Sequence, residues 1–155
     1  MKSTLFIVCL TLISITAYCQ NYCNDVEKIK GPHGIVIYHS KYFPRESISV
    51  WKINTRFYIT FRTNGKQGLS EKGLYLNLSD GSKIALPDAK IEARPSHTKE
   101  GFTYGTSLPI TDKNVGKLTS AYIVKFALGD LKKDVNKVWA IRYMNYVQCI
   151  KNKAG

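Results

Sequence analysis

Polar and apolar residues alternate at every second position through much of this chain. Over Arg56 to Arg62, Phe57, Ile59 and Phe61 fall on one side and Arg56, Tyr58, Thr60 and Arg62 on the other. That is the period of a strand buried on one face. Ser47 to Ile53 alternates in the same way, with Ile48 and Val50 on the apolar side, and Asn54-Thr55 predicts a tight turn between the two runs. Asn64-Gly65, able to adopt positive φ, predicts the next reversal. Gly34 to Tyr38, an apolar run after Gly31-Pro32, predicts a first strand.

The clearest hairpin lies between Leu74 and Leu86. Leu74, Leu76 and Leu78 share one face, Asp80-Gly81 is a type I′ turn signal, and Ile84 and Leu86 continue the return strand until Pro87-Asp88 ends it. Further on, Lys90 to Ala93 predicts a short strand, Pro95 to Gly101 a polar loop, and Phe102 to Tyr104 an edge strand. Thr111 predicts an N-cap opening one or two helical turns, with Gly116 against a longer helix. Ala121 to Leu128, rich in β-branched and aromatic residues, predicts a strand buried on at least one face.

Lys137 to Ile150 carries two competing patterns. Trp139, Ile141 and Tyr143 alternate as a strand, while Val138, Ile141, Asn145 and Gln148 follow a helical row that turns polar. Alternation and aromatic content favour the strand. Together these segments predict about seven to nine short strands and one short helix. The expected fold is therefore all-β: a single antiparallel β-sandwich, with a small β-barrel as the alternative topology.

Length and composition agree with one domain. The chain has 155 residues, 44% of them hydrophobic and 22% charged. It has apolar residues enough for a core and too few positions for a multidomain enzyme. Its first residues stand apart from this pattern. Lys2 precedes an apolar run from Leu5 to Ile15, interrupted only by Thr11 and Ser14. The run matches the hydrophobic region of a signal peptide and falls short of the roughly 20 apolar residues of a membrane span. Ala17 and Cys19 stand at −3 and −1 for cleavage after Cys19, giving a signal peptide over 1–19 and one domain over 20–155. An uncleaved anchor and a lipoprotein acylated at Cys19 are the rival readings; Tyr18 argues against the second. The ending Ala17-Tyr18-Cys19-Gln20 resembles the signal ends of small exported β-proteins of the Bacteroidota that have no assigned function, a resemblance confined to the leader.

Of four cysteines, Cys9 and Cys19 leave with such a leader, and Cys23 and Cys149 remain. Two cysteines allow one internal pairing, and an oxidising compartment favours it. The expectation is a Cys23–Cys149 disulfide in a periplasmic or extracellular protein.

Motifs of catalysis are missing. The sequence has no G-x-S-x-G elbow, no P-loop and no S-x-x-K set. His33, His39 and His97 form no HxH, HxxxH or HExxH pair, so no metal or other cofactor is implied. The carboxylates are dispersed, and Asp80, Asp112 and Asp130 sit where turns and helix starts favour Asp.

Charge is the strongest compositional signal. Lys+Arg number 23 against 11 Asp+Glu, for a net +12 that becomes +11 without Lys2. On the polar side of one strand, Arg56, Tyr58 and Arg62 could stack on a sugar or base while the guanidiniums meet an anion. The partners this suggests are an anionic polysaccharide, a lipid headgroup or an acidic protein; an exported chain is not expected to meet nucleic acid. The reading drawn from sequence is an exported, non-catalytic binding protein. Its alternatives are an envelope inhibitor or immunity-type protein, and then a hydrolase of an extracellular polymer.

Overall fold

The computed structural model describes residues 22–41, 47–65, 72–96 and 101–153. The leader over 1–19, His97 and the loop around it therefore lie outside the described residues. Strands dominate, in two antiparallel sheets with no closed barrel, as expected for an all-β sandwich.

One sheet is built from β1 (Val26–Lys30), β2 (Val36–Ser40), β3 (Ile48–Ile53), β4 (Arg56–Gly65), β7 (Glu92–Pro95) and β8 (Phe102–Pro109), in the order β1-β2-β3-β4-β8-β7. The other holds β5 (Lys72–Leu78), β6 (Lys83–Lys90), β9 (Ile123–Leu128) and β10 (Leu131–Asp134), in the order β10-β9-β5-β6. Two helices among the described residues pack with these sheets: α1 (Asp112–Ser120) and α2 (Lys137–Lys151).

The alternating runs place their apolar sides where the pattern predicts. Phe57, Ile59 and Phe61 of β4, with Ile48 and Val50 of β3, face inward and are buried. Leu74, Leu76 and Leu78 of β5 and Phe126 and Leu128 of β9 face them from the four-stranded sheet. Phe61 and Phe126 meet across the sandwich with ring centroids 5.0 Å apart. The six-stranded sheet is wider than its partner. The part formed by β1, β2 and β3 is covered by α2 instead. So one inner face is sealed by two different layers.

The C-terminal segment corrects the sequence reading. Lys137–Lys151 is an α-helix, not a strand. Its buried residues Ala140, Tyr143, Tyr146, Val147 and Ile150 recur every three or four positions, the spacing of one helical face. Trp139, which opens the apparent alternation, is exposed at its first turn. The helical row that turned polar faces α1 in part: Gln148 Nε2 donates to the Thr119 carbonyl at 2.6 Å. Asn136 caps the start, accepting from Val138 N–H at 2.9 Å. At the other end the buried Lys52 donates to the Lys153 carbonyl at 2.6 Å, placing a cation where helix carbonyls lack partners.

Smaller corrections have local causes. The Asp80-Gly81 hairpin forms, but its loop is a type I turn with Gly81 at φ 82°, not a type I′ turn: Gly81 N–H bonds the Leu78 carbonyl and Leu78 N–H bonds the Ser82 carbonyl. Asp80 Oδ1 holds Ser82 N–H at 2.9 Å. Pro87 does not end β6, because β6 is the edge of its sheet and has no outer ladder bond to lose. Residues Phe102 to Tyr104 belong to β8, which is interior, flanked by β4 and β7. Asn64-Gly65 completes β4, and the reversal expected there falls outside the described residues. Strands β1 and β10, rich in lysine and short of apolar residues, were not foreseen. Thr111 caps α1 as expected, accepting from Asn114 N–H at 3.4 Å; α1 runs nine residues, with open space around Gly116.

Cys23 and Cys149 form the expected disulfide, with Cα atoms 5.4 Å apart. It ties the segment before β1 to the last turns of α2. No helix among the described residues is long and apolar enough to cross a membrane.

Candidate functional site

The outer face of the six-stranded sheet carries a groove of about 660 Å³. Such a volume suits a small ligand or a short stretch of a polymer. Its geometry follows from strand register. Tyr58 opposes Trp51 on β3, Thr60 opposes Ser107 on β8, Arg62 opposes Gly105, and Gly105 in turn opposes Glu92 on β7. One residue pair further, Thr103 opposes Arg94. Cross-strand partners share a face, so these side chains form successive rows on the outer surface.

The groove is chemically divided along its length. At one end the Trp51 ring forms a wall and stacks on Tyr58, with centroids 4.5 Å apart and planes 21° from parallel. Trp51 Nε1–H donates to Thr60 Oγ1 at 3.2 Å, and Thr60 donates onward to Ser107 Oγ at 2.9 Å. Because Ser107 accepts in this chain, its own hydroxyl proton is left to donate outward. Ile110 N–H bonds the Phe57 carbonyl, so alternate residues of β8 turn their amides toward β4 and Ser107 turns its amide away. On that side β7 pairs with β8 only from Phe102 to Gly105. The Ser107 amide therefore points past the end of β7, into the slot where the chain passes from β6 to β7.

At the other end are two guanidiniums. Arg62 and Arg94 both line the groove, from different strands. Burial first, and the nearby Arg94 charge second, hold Arg62 below the usual arginine range. An arginine so placed keeps its proton at neutral pH, so two positive charges share the groove. Arg94 pairs with Glu92 at 2.7 Å in an exposed contact, which contributes little stability. Between Arg62 and Glu92 the row is occupied by Gly105. A Cβ there would stand 3.5 Å from Arg62 Cγ and 3.3 Å from the Phe61 carbonyl oxygen. Glycine thus keeps the groove floor free of a side chain beside the Arg62 stem.

The structure distributes the three residues singled out from sequence. All lie on the outer face of β4. Arg62 is in the groove; Tyr58 is half-buried against Trp51; Arg56 is exposed at the hairpin end and does not line the groove. Arg56 and Arg62 are six positions apart, about 20 Å along a strand, so they do not form one patch. Trp51, Ser107, Gly105, Glu92 and Arg94 were missed. Trp51 was within reach of sequence reasoning, since a two-residue turn at Asn54-Thr55 sets it opposite Tyr58. Nothing local marks Gly105 or Arg94, which reach Arg62 only through β8.

Other candidate chemistry is scattered. His33 sits exposed in a 3-10 turn (Pro32–Gly34) with φ 58°, and His39 is buried, its Nδ1 2.8 Å from the Ser40 carbonyl and its Nε2 4.0 Å from Glu27. Among the described residues no three His, Cys, Asp or Glu side chains gather as metal ligands. Comparison of the chain with protein-family models, curated proteins and solved structures gives no match.

Proposed function

We propose that this chain is an exported binding protein, without catalytic activity, that holds an anionic ligand in the groove on the outer face of its six-stranded sheet. The observation that carries this reading is the convergence of Arg62 and Arg94 beside the Gly105 gap, with the Ser107 hydroxyl on the same outer face. Every group named there donates, and Glu92 is the acceptor already committed to Arg94. Such a donor set fits an anion better than a cation or a neutral apolar ligand. The apolar run of the first nineteen residues, together with a disulfide, supports export to an oxidising compartment.

Titration calorimetry of the oxidised protein with a panel of anionic polymers tests the reading. Charge-assisted hydrogen bonds contribute about 1.5–3 kcal/mol each, so Arg62→Ala and Arg94→Ala should each weaken binding by roughly ten- to a hundredfold. Lys132→Ala, on β10 of the opposite sheet, should change affinity less than twofold. Equal losses from all three variants would mean diffuse surface charge and would overturn the groove. The bound polymer should keep its chain length on prolonged incubation; shortening would reveal a hydrolase.

A further inference from the structure

We infer that the ligand of this groove is an acidic polysaccharide, with a sugar carboxylate seated over Gly105 between Arg62 and Arg94 and a neighbouring ring on the Trp51–Thr60–Ser107 row. This rests on the groove being an anion site, and goes further by naming what carries the anion. The first argument is the division of the groove. From the Tyr58 row to the Arg62 row is four positions along β4, about 13 Å. Only the far end of that span carries guanidiniums; the nearer part offers an indole wall and the Ser107 hydroxyl, with the Lys90 ammonium lining the groove at the β6–β7 corner. A polyphosphate or densely sulfated chain would set charge against the indole wall without a partner there. A chain of sugar acids presents carboxylates separated by hydroxyls and by C–H faces, and each finds a match: guanidinium, Ser/Thr hydroxyl, aromatic ring.

The second argument is the gap itself. Gly105 leaves floor space no wider than a side chain, between strands about 5 Å apart. A flat carboxylate enters such a slot edge-on and can be gripped by the planar fork of an arginine. The third is Glu92. The partner that Arg94 holds is a carboxylate, at 2.7 Å and with both side chains exposed. A sugar carboxylate replaces it by like-for-like exchange, so Glu92 competes with the ligand.

Four polymers and two variants test this. Polygalacturonate should bind; its methyl ester, with the same backbone and no charge, should not. Poly-glutamate and polyphosphate should bind at least tenfold more weakly than polygalacturonate. Gly105→Ala should cut polygalacturonate affinity at least tenfold while every arginine remains. Glu92→Gln should strengthen it severalfold by removing the competitor, and this variant keeps the test decisive if the added methyl disturbs β4. Poly-glutamate or polyphosphate binding as tightly as polygalacturonate, with no effect of either variant, would overturn the polysaccharide while leaving an anion groove. Failure of every polymer to bind would remove the anion groove as well.

Discussion

Cutting the Cys23–Cys149 bridge should destabilise the protein through its unfolded state more than through any contact in the folded one. The two cysteines are 126 positions apart. Closing a loop of that length removes chain entropy from the unfolded ensemble equivalent to about 5 kcal/mol at 25 °C. The folded state supplies little reason for a larger effect. Helix α2 remains seated without the bridge, because Tyr146, Val147 and Ile150 are almost fully buried. Strand β1 has less to hold it: four of its five residues are exposed and it pairs only with β2. Measured losses usually fall short of the entropic limit, so we expect Cys149→Ser to cost about 3 kcal/mol, within the usual 2–5. Urea unfolding of oxidised protein, dithiothreitol-reduced protein, Cys149→Ser and Cys23→Ser checks this. Cys149 is buried and Cys23 only half-buried, so a packing effect would make the Cys149 variant clearly the worse. Chain entropy predicts that all three bridge-free forms agree within about 1 kcal/mol, with a steeper denaturant dependence as the unfolded chain expands. A loss below 1 kcal/mol on reduction would refute the reasoning, as would a Cys149 variant much weaker than reduced wild type.

Two further outcomes follow from polar groups outside the groove. Lys52→Met keeps the stem over Phe57 but removes the ammonium from the carbonyl end of α2, and should cost about 1–2 kcal/mol in urea unfolding; an unchanged or raised midpoint would show that Lys52 contributes only packing. Asp80 is held below the usual carboxylate range by Ser82, whose hydroxyl lies near it and whose backbone N–H donates to Oδ1 at 2.9 Å. A carboxylate lowered on folding stabilises above its unfolded value, and that contribution fades as pH falls through the folded one. Ser82 amide exchange should therefore lose protection in acid, below the ordinary carboxylate range, and Asp80→Asn should abolish that pH dependence; an identical acid response in the variant would remove Asp80 as the cause.

Periodicity of two was enough to determine the strands of the hairpins, because each buries one face and the pleat turns every second side chain inward. Phe57, Ile59 and Phe61 needed no tertiary knowledge to be assigned to the core, nor did Leu74, Leu76 and Leu78. The cysteine pairing was equally local in logic, since the expected loss of a leader would leave one combination. Lys137 to Ile150 shows the limit. Its residues satisfy two periods at once, and which face is buried depends on what lies opposite. Here that is the uncovered stretch of β1, β2 and β3, with Thr119 of α1 and Lys52 of β3 meeting its polar groups. A strand there would have left those groups without partners. The groove is a product of tertiary structure for the same reason. Arg62 and the hydroxyl of Thr60 were visible on one strand face, but Ser107, Gly105 and Arg94 come from strands that return to the β4 side only after the β5–β6 hairpin of the other sheet. Alternation reports which side a residue takes, not which strand stands beside it. The choice of neighbour, and with it the meeting of two guanidiniums over a glycine, is made by long-range pairing and packing.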